Sequence, residues 1–240
     1  MNLMKYKILD WDSDFFGTKV ARITEQNLTA EQLTNLIYEL QRKFVKLVYW
    51  SSDQKYNGNL IKRLSGNLLD NKITFAIDFN TVDLDDFNSS AIVEIYSESM
   101  PLSELEDLAV QSGEYSRFAA DPNIPHSKYI ALYKTWITHS VTKKLAHEVL
   151  VIRENKHIVG MITLGENNGR GDIGLIAVNS KQRGKKYGQK LIYAAQQWFV
   201  QNEYRFGQIV TQEKNTPACN LYKKCGYSVE KIEYFYHFWL

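Results

Sequence analysis

The stretch Asp172–Val200 (DIGLIAVNSKQRGKKYGQKLIYAAQQWFV) constrains the fold of this chain more than any other. An apolar strand is predicted to end at Val178, and after a short polar turn a helix is predicted to begin within Arg183–Gly188. The free N–H groups and the positive dipole end of a helix N-terminus bind anions, and the glycines at 184 and 188 let a ligand approach the backbone. The pattern therefore indicates a pyrophosphate site, with a solvated basic turn before an ordinary helix as the alternative. Five basic side chains add positive charge here: Lys181, Arg183, Lys185, Lys186 and Lys190.

The composition of the 240 residues narrows the class of protein. Apolar residues make up 44% of the chain, which is typical of a globular protein with one large or two small domains. The 29 basic and 27 acidic residues leave a net charge of only +2, so bulk charge does not indicate a nucleic-acid binder. No apolar run approaches the roughly 20 residues of a membrane span, and the sequence MNLMKYKILD lacks the apolar centre of a secretory signal. We therefore expect a cytoplasmic protein with reduced cysteines and no metal site.

Hydrophobic periodicity predicts an α/β protein with a mixed sheet. A helix over 30–43 is expected because Thr29 and Gln32 form a capping-box pattern before apolar residues at helical spacing. A second helix over 129–141 has an aromatic inner face, and we interpret those aromatic residues as core. Three strands separated by tight turns predict an antiparallel meander in the second half: 148–153, 157–164 and 172–178.

An acidic, polar bridge at 80–90 separates two parts of the chain. We interpret it as a boundary between a smaller N-terminal sub-domain, residues 1–85, and a larger C-terminal domain, residues 91–240. In the smaller part, the segment WDSDFFG at 11–17 is predicted to be a loop in which three polar residues stand beside three aromatics. Either its Asp and Ser side chains cap backbone groups while the phenylalanines enter the core, or the loop lines a substrate pocket.

The basic turn is followed by a second motif further along the chain. R-x-x-K-x-G at 183–188 comes directly after the meander, and N-x-x-A-x-x-L-Y-x-x-x-G-Y at 215–227 comes after one more strand. The meander and these two motifs, in this order and spacing, resemble the GCN5-related N-acetyltransferase (GNAT) superfamily over roughly residues 91–240. The resemblance implies a GNAT fold in the C-terminal half of the chain.

The resemblance also implies a binding site for acyl-coenzyme A. The strand backbone at Ile176, Ala177 and Val178 is expected to hold the pantetheine arm as it would hold an added β-strand. Asn215 is expected to contact the coenzyme, and Tyr222 is expected to face the thiol sulfur. The family pattern usually has glycine at position 186, and a lysine there is compatible with a site that needs only the backbone N–H. The pyrophosphate is expected to lie on the amides of six consecutive residues: Arg183, Gly184, Lys185, Lys186, Tyr187 and Gly188.

Tyr222 also suits acyl transfer on chemical grounds. A neutral amine attacks the thioester carbonyl, an oxyanion develops and a thiolate leaves. A strand N–H such as that of Ile176 can stabilise the oxyanion, and a phenol of pKa about 10 can protonate the thiolate. The alternative for Tyr222 is a core tyrosine on a short helix. No side chain stands out as a general base, and an amine of modest pKa can lose its proton to ordered water.

Three segments that precede the meander extend the resemblance. The segment WDSDFFG, the segment SRF at 116–118 and the aromatic helix are similar to the dTDP-aminosugar N-acyltransferases, the family that includes the dTDP-fucosamine acetyltransferases. In that family a truncated GNAT-like N-terminal half accompanies a full GNAT half. Members transfer acetyl, or a larger group such as 3-hydroxybutyryl, to the 3- or 4-amino group of a dTDP-linked dideoxyhexose used for lipopolysaccharide O-antigen and related surface polysaccharides. The resemblance implies a sugar-nucleotide site in which Arg117 pairs with the diphosphate. The residues expected in it are Asp14, Phe15, Phe16, Ser116, Arg117 and Phe118.

Two other functions remain open at this point. A protein or peptide N-acetyltransferase, or a non-catalytic acyl-CoA-binding regulator, would have the same fold, although Tyr222 in register favours turnover. A Rossmann or P-loop site is excluded because the strand before the turn ends an antiparallel meander and no Gly-Lys-Ser/Thr sequence follows it. The aromatic closing segment EYFYHFWL at 233–240 offers a strand to a second subunit, so a homodimer is also considered.

Overall fold

The computed structural model describes residues 5–81 and 93–240. Contacts between Cα atoms group these residues into two compact units, each assembled from separate stretches of the chain. The first unit contains residues 5–72, 120–123 and 232–240, and the second contains residues 73–81, 93–119 and 124–231. Most of the predicted boundary at 80–90 lies outside the described residues, so that boundary stays a prediction.

Ten strands and eight α-helices occur within the described residues. The strands are β1 (Tyr6–Ile8), β2 (Val20–Ile23), β3 (Leu47–Ser52), β4 (Gly66–Asp78), β5 (Val93–Ile95), β6 (Glu148–Glu154), β7 (His157–Asn167), β8 (Arg170–Val178), β9 (Phe206–Gln212) and β10 (Ser228–Trp239). The helices are α1 (Asp10–Phe16), α2 (Ala30–Arg42), α3 (Gly58–Arg63), α4 (Leu102–Ser112), α5 (Arg117–Ala120), α6 (His126–Val141), α7 (Tyr187–Gln201) and α8 (Thr216–Lys224).

The sheet of the first unit has the strand order β1-β2-β3-β10-β4. Strand β10 pairs antiparallel with β3, with Tyr234 opposite Ser52 and Trp239 opposite Leu47, and it lies between β3 and β4. The prediction that the closing segment pairs with a second subunit is therefore wrong, because the segment has a strand of its own unit on each side. The homodimer itself stays a prediction.

Helix α2 begins where the sequence predicts. Thr29 Oγ1 accepts a hydrogen bond from Gln32 N at 3.2 Å, and Gln32 Oε1 accepts one from Thr29 N at 2.8 Å. This capping box satisfies two of the free N–H groups at the helix start and fixes the direction in which α2 leaves the turn. The helix buries four side chains in the core of the first unit: Leu33, Leu36, Ile37 and Leu40.

The segment WDSDFFG is not the loop that the sequence predicts. Residues Asp10–Phe16 form helix α1, which ends at Gly17 in the left-handed region at φ +70°. The Ser13 hydroxyl donates to Leu9 O at 2.7 Å and accepts from Val20 N at 2.9 Å, so one side chain joins the start of the helix to the next strand. The helix is only seven residues long and has no buried residue, so it lacks the hydrophobic periodicity by which helices are predicted.

The second unit has the strand order β10-β4-β9-β8-β7-β6-β5. Strands β6, β7 and β8 pair antiparallel, which confirms the predicted meander, and β8 pairs parallel with β9. Antiparallel and parallel pairs in one sheet, covered by helices, confirm the predicted α/β class with a mixed sheet. No helix among the described residues combines the length and the apolar character needed to cross a membrane. Helix α7 packs on this sheet through four buried side chains: Leu191, Ile192, Ala195 and Phe199.

Candidate active site

A cleft of about 630 Å³ opens in the second unit where β8 and β9 separate. The last paired residues of these two strands are Ile173 and Ile209, although both strands continue beyond them. The continuing segments, residues 174–178 and 210–212, both line the cleft. The two strands therefore offer backbone N–H and C=O groups to a ligand lying between them.

A β-bulge in the β7–β8 pair lies at the inner part of this cleft. The register shifts between Ile162 and Leu164, and the Thr163 hydroxyl accepts a hydrogen bond from Leu175 N at 2.8 Å. A Cβ atom on Gly174 would lie 2.9 Å from that hydroxyl oxygen, so the position favours glycine. The bulge bends β8 at the point where its pairing with β9 ends.

The alternation of hydrogen bonds along β8 decides which backbone groups face the cleft. Asn179 N donates to Val159 O at 2.8 Å, which makes these two residues a hydrogen-bonded pair of the antiparallel ladder. Counting back from this pair, Ala177 also directs its N–H and C=O toward β7, whereas Ile176 and Val178 direct theirs away from β7 and toward the cleft. This orientation supports the predicted role of Ile176 and Val178 in holding pantetheine and leaves Ala177 as a lining residue.

The turn before α7 presents free N–H groups to the same cleft. The prediction that the helix begins within residues 183–188 is confirmed, because α7 begins at Tyr187, directly after Gly184 and Lys186 with their positive φ angles of 85° and 61°. The first helical hydrogen bond runs from Lys190 N to Lys186 O at 3.1 Å. The N–H groups of residues 187–189 therefore have no carbonyl of a preceding turn to bond to, and the helix dipole places partial positive charge on them.

The basic side chains of this turn differ in their surroundings. Arg183 and Lys186 line the cleft, and Arg183 Nε donates to Val178 O at 3.3 Å. Lys185 is not among the lining residues, and its ammonium group donates to the two carboxylate oxygens of Glu154 at 2.8 and 3.0 Å. That hydrogen bond raises the pKa of Lys185 above its ordinary value. Arg183 and Lys186 are therefore better placed than Lys185 to attract an anionic ligand.

The start of α8 forms another part of the lining. Asn215 Oδ1 caps this helix by accepting a hydrogen bond from Ala218 N at 3.3 Å. The N–H groups of the same side-chain amide are the donors that it can offer to a ligand in the cleft. A Cβ atom on Gly188 would lie 3.0 Å from Leu221 Cδ2, which shows how closely the start of α7 approaches α8. The predicted coenzyme contact of Asn215 is compatible with this geometry and stays a prediction.

Tyr222 is buried and lines the cleft at the same time. Its ring meets Phe75 edge-on at 5.6 Å, which holds the phenol in one orientation. Burial raises the pKa of Tyr222, and the nearby thiols of Cys219 and Cys225 raise it further. The phenol is therefore protonated at neutral pH, which is the form required of a proton donor.

The predicted sugar-site residues Asp14, Phe15 and Phe16 lie on α1 in the first unit. The rings of Trp11 and Phe15 stack at 5.2 Å, and Phe16 meets Phe15 edge-on at 5.0 Å. Neither phenylalanine is fully buried, which does not fit the alternative in which both enter the core. Their role in substrate binding stays a prediction.

The segment Ser116–Phe118 lies in the second unit, and none of its residues is among those that line the cleft. The Ser116 hydroxyl accepts from Ala119 N at 3.3 Å and so supports the start of α5. The Arg117 guanidinium lies 4.4 Å from the ring centroid of Phe118, which in turn meets Trp136 edge-on at 5.7 Å. This segment therefore supports a cleft residue, and its predicted contact with a diphosphate stays a prediction.

Helices α4 and α6 and the turn after α4 also belong to the site, although no sequence motif indicates it. They line the cleft with six residues: Gln111, Ser112, Glu114, Tyr115, Tyr133 and Trp136. Gln111 Oε1 also accepts from Ser180 N at 3.1 Å, which joins α4 to the turn before α7. The aromatic spacing of α6 was the available signal, and it was interpreted as core. That interpretation holds for the buried Tyr129, whereas Trp136 reaches the cleft.

Residues 102–227, which include the bulge, the basic turn and Tyr222, match the acetyltransferase (GNAT) family. The chain belongs to this family. The GNAT resemblance stated from the meander and the two motifs is thus confirmed for the C-terminal part of the chain. The truncated GNAT-like organisation expected of the N-terminal half stays a prediction.

Individual relatives differ in how much of the chain they match. The chain is 26% identical over 231 residues to dTDP-fucosamine acetyltransferase from Escherichia coli O6:H1, and the match covers 94% of each chain. It is 35% identical over 82 residues to streptothricin acetyltransferase from Escherichia coli, a match that covers 34% of this chain and 47%, about half, of that protein. A solved structure of a GCN5-related N-acetyltransferase from Sphaerobacter thermophilus is similar with a TM-score of 0.59 and 14% identity, over 97% of this chain and 75% of that one. The structural similarity shows the fold alone.

Proposed function

We propose that this protein transfers an acyl group from acyl-CoA to the amino group of a dTDP-linked 3- or 4-amino-dideoxyhexose. The observation that carries the proposal is the cleft between β8 and β9, which is lined both by the basic turn before α7 and by the buried phenol of Tyr222. Similarity over 94% of the chain to a protein named dTDP-fucosamine acetyltransferase supports the choice of acceptor. Such an acceptor implies a role in surface polysaccharide synthesis and a cytoplasmic location.

The donor binds by filling the gap between the two strands. The pyrophosphate lies on the N–H groups of residues 187–189, where the helix dipole and Arg183 supply positive charge. The pantetheine arm pairs with the backbone of Ile176 and Val178, as an added strand pairs with an open sheet edge. The acyl thioester is thereby held in the inner part of the cleft, where Tyr222 is buried.

The reaction needs one new bond, one broken bond and two proton movements. The amine nitrogen attacks the thioester carbonyl carbon, and the oxyanion accepts a hydrogen bond from Ile176 N–H. The C–S bond then breaks, and the departing thiolate takes the proton of the Tyr222 phenol. The proton released by the amine returns through water to the phenolate. The raised pKa of Tyr222 keeps the phenol protonated until a thiolate forms beside it.

A thiol-release assay tests the proposal. The purified protein is mixed with acetyl-CoA or 3-hydroxybutyryl-CoA and with dTDP-3-amino- or dTDP-4-amino-dideoxyhexoses. Turnover is expected with one pairing, and Tyr222→Phe is expected to lower kcat by about 100-fold or more while the Kd for acyl-CoA stays unchanged. Tyr227→Phe is the matched control, because Tyr227 is also a buried tyrosine but does not line the cleft.

Other acceptors are included because of the second relative. The chain matches part of a protein named streptothricin acetyltransferase, so streptothricin is tested in parallel with a mixed peptide library. Turnover with either of these and none with the sugar nucleotides would replace the proposed acceptor. Acyl-CoA binding without thiol release for any amine would favour a regulator over an enzyme.

A further inference from the structure

Charge is unevenly distributed along the walls of the cleft. Three lining residues are basic, namely Arg183, Lys186 and Lys224, and they belong to the turn before α7 and to α8. Glu114 is the one carboxylate among the described residues that line the cleft. It belongs to the turn that follows α4. The anionic donor and the ammonium group of an acceptor are therefore attracted to different parts of the lining.

The turn that carries Glu114 is closely packed. Gly113 is the C-cap of α4, and a Cβ atom on it would lie 2.3 Å from the ring of Tyr133. Ser116 N donates to Gly113 O at 2.8 Å and closes the turn. The hydroxyl of Tyr129 also donates to Val110 O, which ties α6 to the last turn of α4. These contacts fix the backbone at Glu114, so the position of its carboxylate is limited to a few rotamers.

The carboxylate of Glu114 is free to bind a ligand. It forms no hydrogen bond or ion pair with another residue in the part of the chain that the structure describes. It also follows directly after the C-terminal end of α4, where the helix dipole adds partial negative charge. Both features favour a positively charged group at this place in the cleft.

Two aromatic side chains flank this position. Tyr115 is 43% exposed and lines the cleft next to Glu114, and Trp136 lines it from α6. Trp136 is held by an edge-on contact with Tyr133 at 4.9 Å. Aromatic faces pack against the apolar C–H groups of a ring and attract cations. A carboxylate beside such faces suits the amino-dideoxyhexose end of the proposed acceptor, which has apolar C–H groups and an ammonium group.

We propose that Glu114 is the residue that selects an acceptor in its ammonium form, and that Tyr115 and Trp136 pack against the body of that acceptor. The proposal rests on the proposed acyltransferase function and assigns the acceptor end of the cleft to the turn after α4. Primary amines of sugars are largely protonated at neutral pH, so the first contact with the enzyme is made by a cation, which releases one proton to water before the neutral amine attacks the thioester. A neutral hydroxyl at the same ring position makes no ion pair with Glu114, so the molecule that carries it binds more weakly than the amine.

The test compares Glu114→Gln with Asp107→Asn. The control removes one negative charge from an exposed carboxylate on α4, the helix that precedes the turn of Glu114, and Asp107 does not line the cleft. Each variant is assayed with the amino sugar nucleotide as substrate and with the analogue that has a hydroxyl in place of the amine as inhibitor. Glu114→Gln is expected to raise the KM for the amine by about 10- to 100-fold, the usual effect of losing a charged hydrogen bond. The Ki of the hydroxyl analogue and the KM for acyl-CoA are expected to stay unchanged, as are all constants of Asp107→Asn.

The outcomes separate this proposal from the proposed function. If the wild type turns over the amine and Glu114→Gln has the same KM for it, the role of Glu114 is overturned. The acyltransferase assignment then stays intact. A parallel rise in KM for the amine and in Ki for the hydroxyl analogue overturns charge selection, because it indicates a general disturbance of the site. Absence of thiol release by the wild type with every amine overturns the proposed function and this proposal with it.

Discussion

Replacing Asp121 by alanine tests how strongly one buried carboxylate stabilises the first unit. The side chain is 1% exposed and is hydrogen-bonded to His237 Nδ1 at 2.6 Å, to Trp239 Nε1 at 3.0 Å and to Asn123 N at 3.0 Å. Asp121 therefore joins the short segment 120–123 to the end of β10. In Asp121→Ala these three donors lose their acceptor in closely packed surroundings.

The expected magnitude follows from the number of groups left without a partner. Each buried donor without an acceptor costs about 1–3 kcal/mol, and breaking a buried pair with a charged partner costs about 3–5 kcal/mol in total. Asp121→Ala is therefore expected to lower the free energy of unfolding by about 3–5 kcal/mol. For a chain of this size that corresponds to a fall in Tm of roughly 6–20 °C.

Urea denaturation followed by tryptophan fluorescence measures this loss, and Trp239 is a reporter in direct contact with the mutated side chain. Asp107→Ala serves as the control, because it removes an exposed carboxylate and is expected to change the free energy of unfolding by less than about 0.5 kcal/mol. A loss below about 1 kcal/mol in Asp121→Ala would refute the reasoning. It would mean that water reaches the three donors as soon as the carboxylate is gone.

The effect of Asp121 is also expected to depend on pH. Burial raises the pKa of the Asp121 carboxyl, but the hydrogen bonds from His237, Trp239 and Asn123 outweigh burial and hold the pKa below its ordinary value. A group whose pKa is depressed in the folded state stabilises fully above its unfolded pKa of about 4, and this stabilisation is lost as the pH falls through the folded pKa. The difference in unfolding free energy between the wild type and Asp121→Ala should therefore be constant near neutrality and shrink below about pH 4.

Two further predictions concern the donor site. Arg183→Ala is expected to weaken acyl-CoA binding by about 10-fold in calorimetric titrations, because Arg183 lines the cleft. Lys185→Ala is expected to change the Kd by less than about threefold, because Glu154 already holds that ammonium. Equal effects of the two substitutions would contradict the assignment of the pyrophosphate site to Arg183. Thr163→Val keeps the side-chain shape but removes the acceptor of Leu175 N–H, so we expect the free energy of unfolding to fall by about 1–3 kcal/mol. We also expect kcat to fall, because the bulge positions the next residue, Ile176, whose N–H is the proposed oxyanion donor. An unchanged kcat would show that the bulge does not set the position of the oxyanion donor.

Structural features that depend on residues close together in the sequence could be predicted from it. The capping box of Thr29 and Gln32 is local, so the start of α2 was predicted to the residue. The antiparallel meander was predicted because tight turns leave its strands few other ways to pair. The short helix α1 was not predicted, because its stability comes from hydrogen bonds of Ser13 that join the helix start to the following strand. A periodic hydrophobic pattern contains no information about such a contact.

The functional site was predictable where a motif is continuous in sequence. The turn at 183–188 and the helix that carries Tyr222 both follow recognisable patterns and both line the cleft. The separation of β8 and β9 could not be predicted, because it depends on the bulge at Thr163, where a side-chain oxygen accepts from the backbone of another strand. The part of the cleft that α4 and α6 line was not predicted, because Trp136 has the spacing of a core residue. Only the packing of the two helices shows which side of the Trp136 ring remains accessible.

The position of β10 has a consequence for synthesis on the ribosome. Strand β3 is translated early, but its antiparallel partner at residues 234–239 is translated after the whole second unit. At about 5–20 residues per second, β3 stays without this partner for roughly 10–40 s. During that time the first unit presents an unpaired strand edge rich in apolar side chains, which is a substrate for chaperones and a starting point for aggregation. Shortening the chain before residue 234 would make that interval permanent.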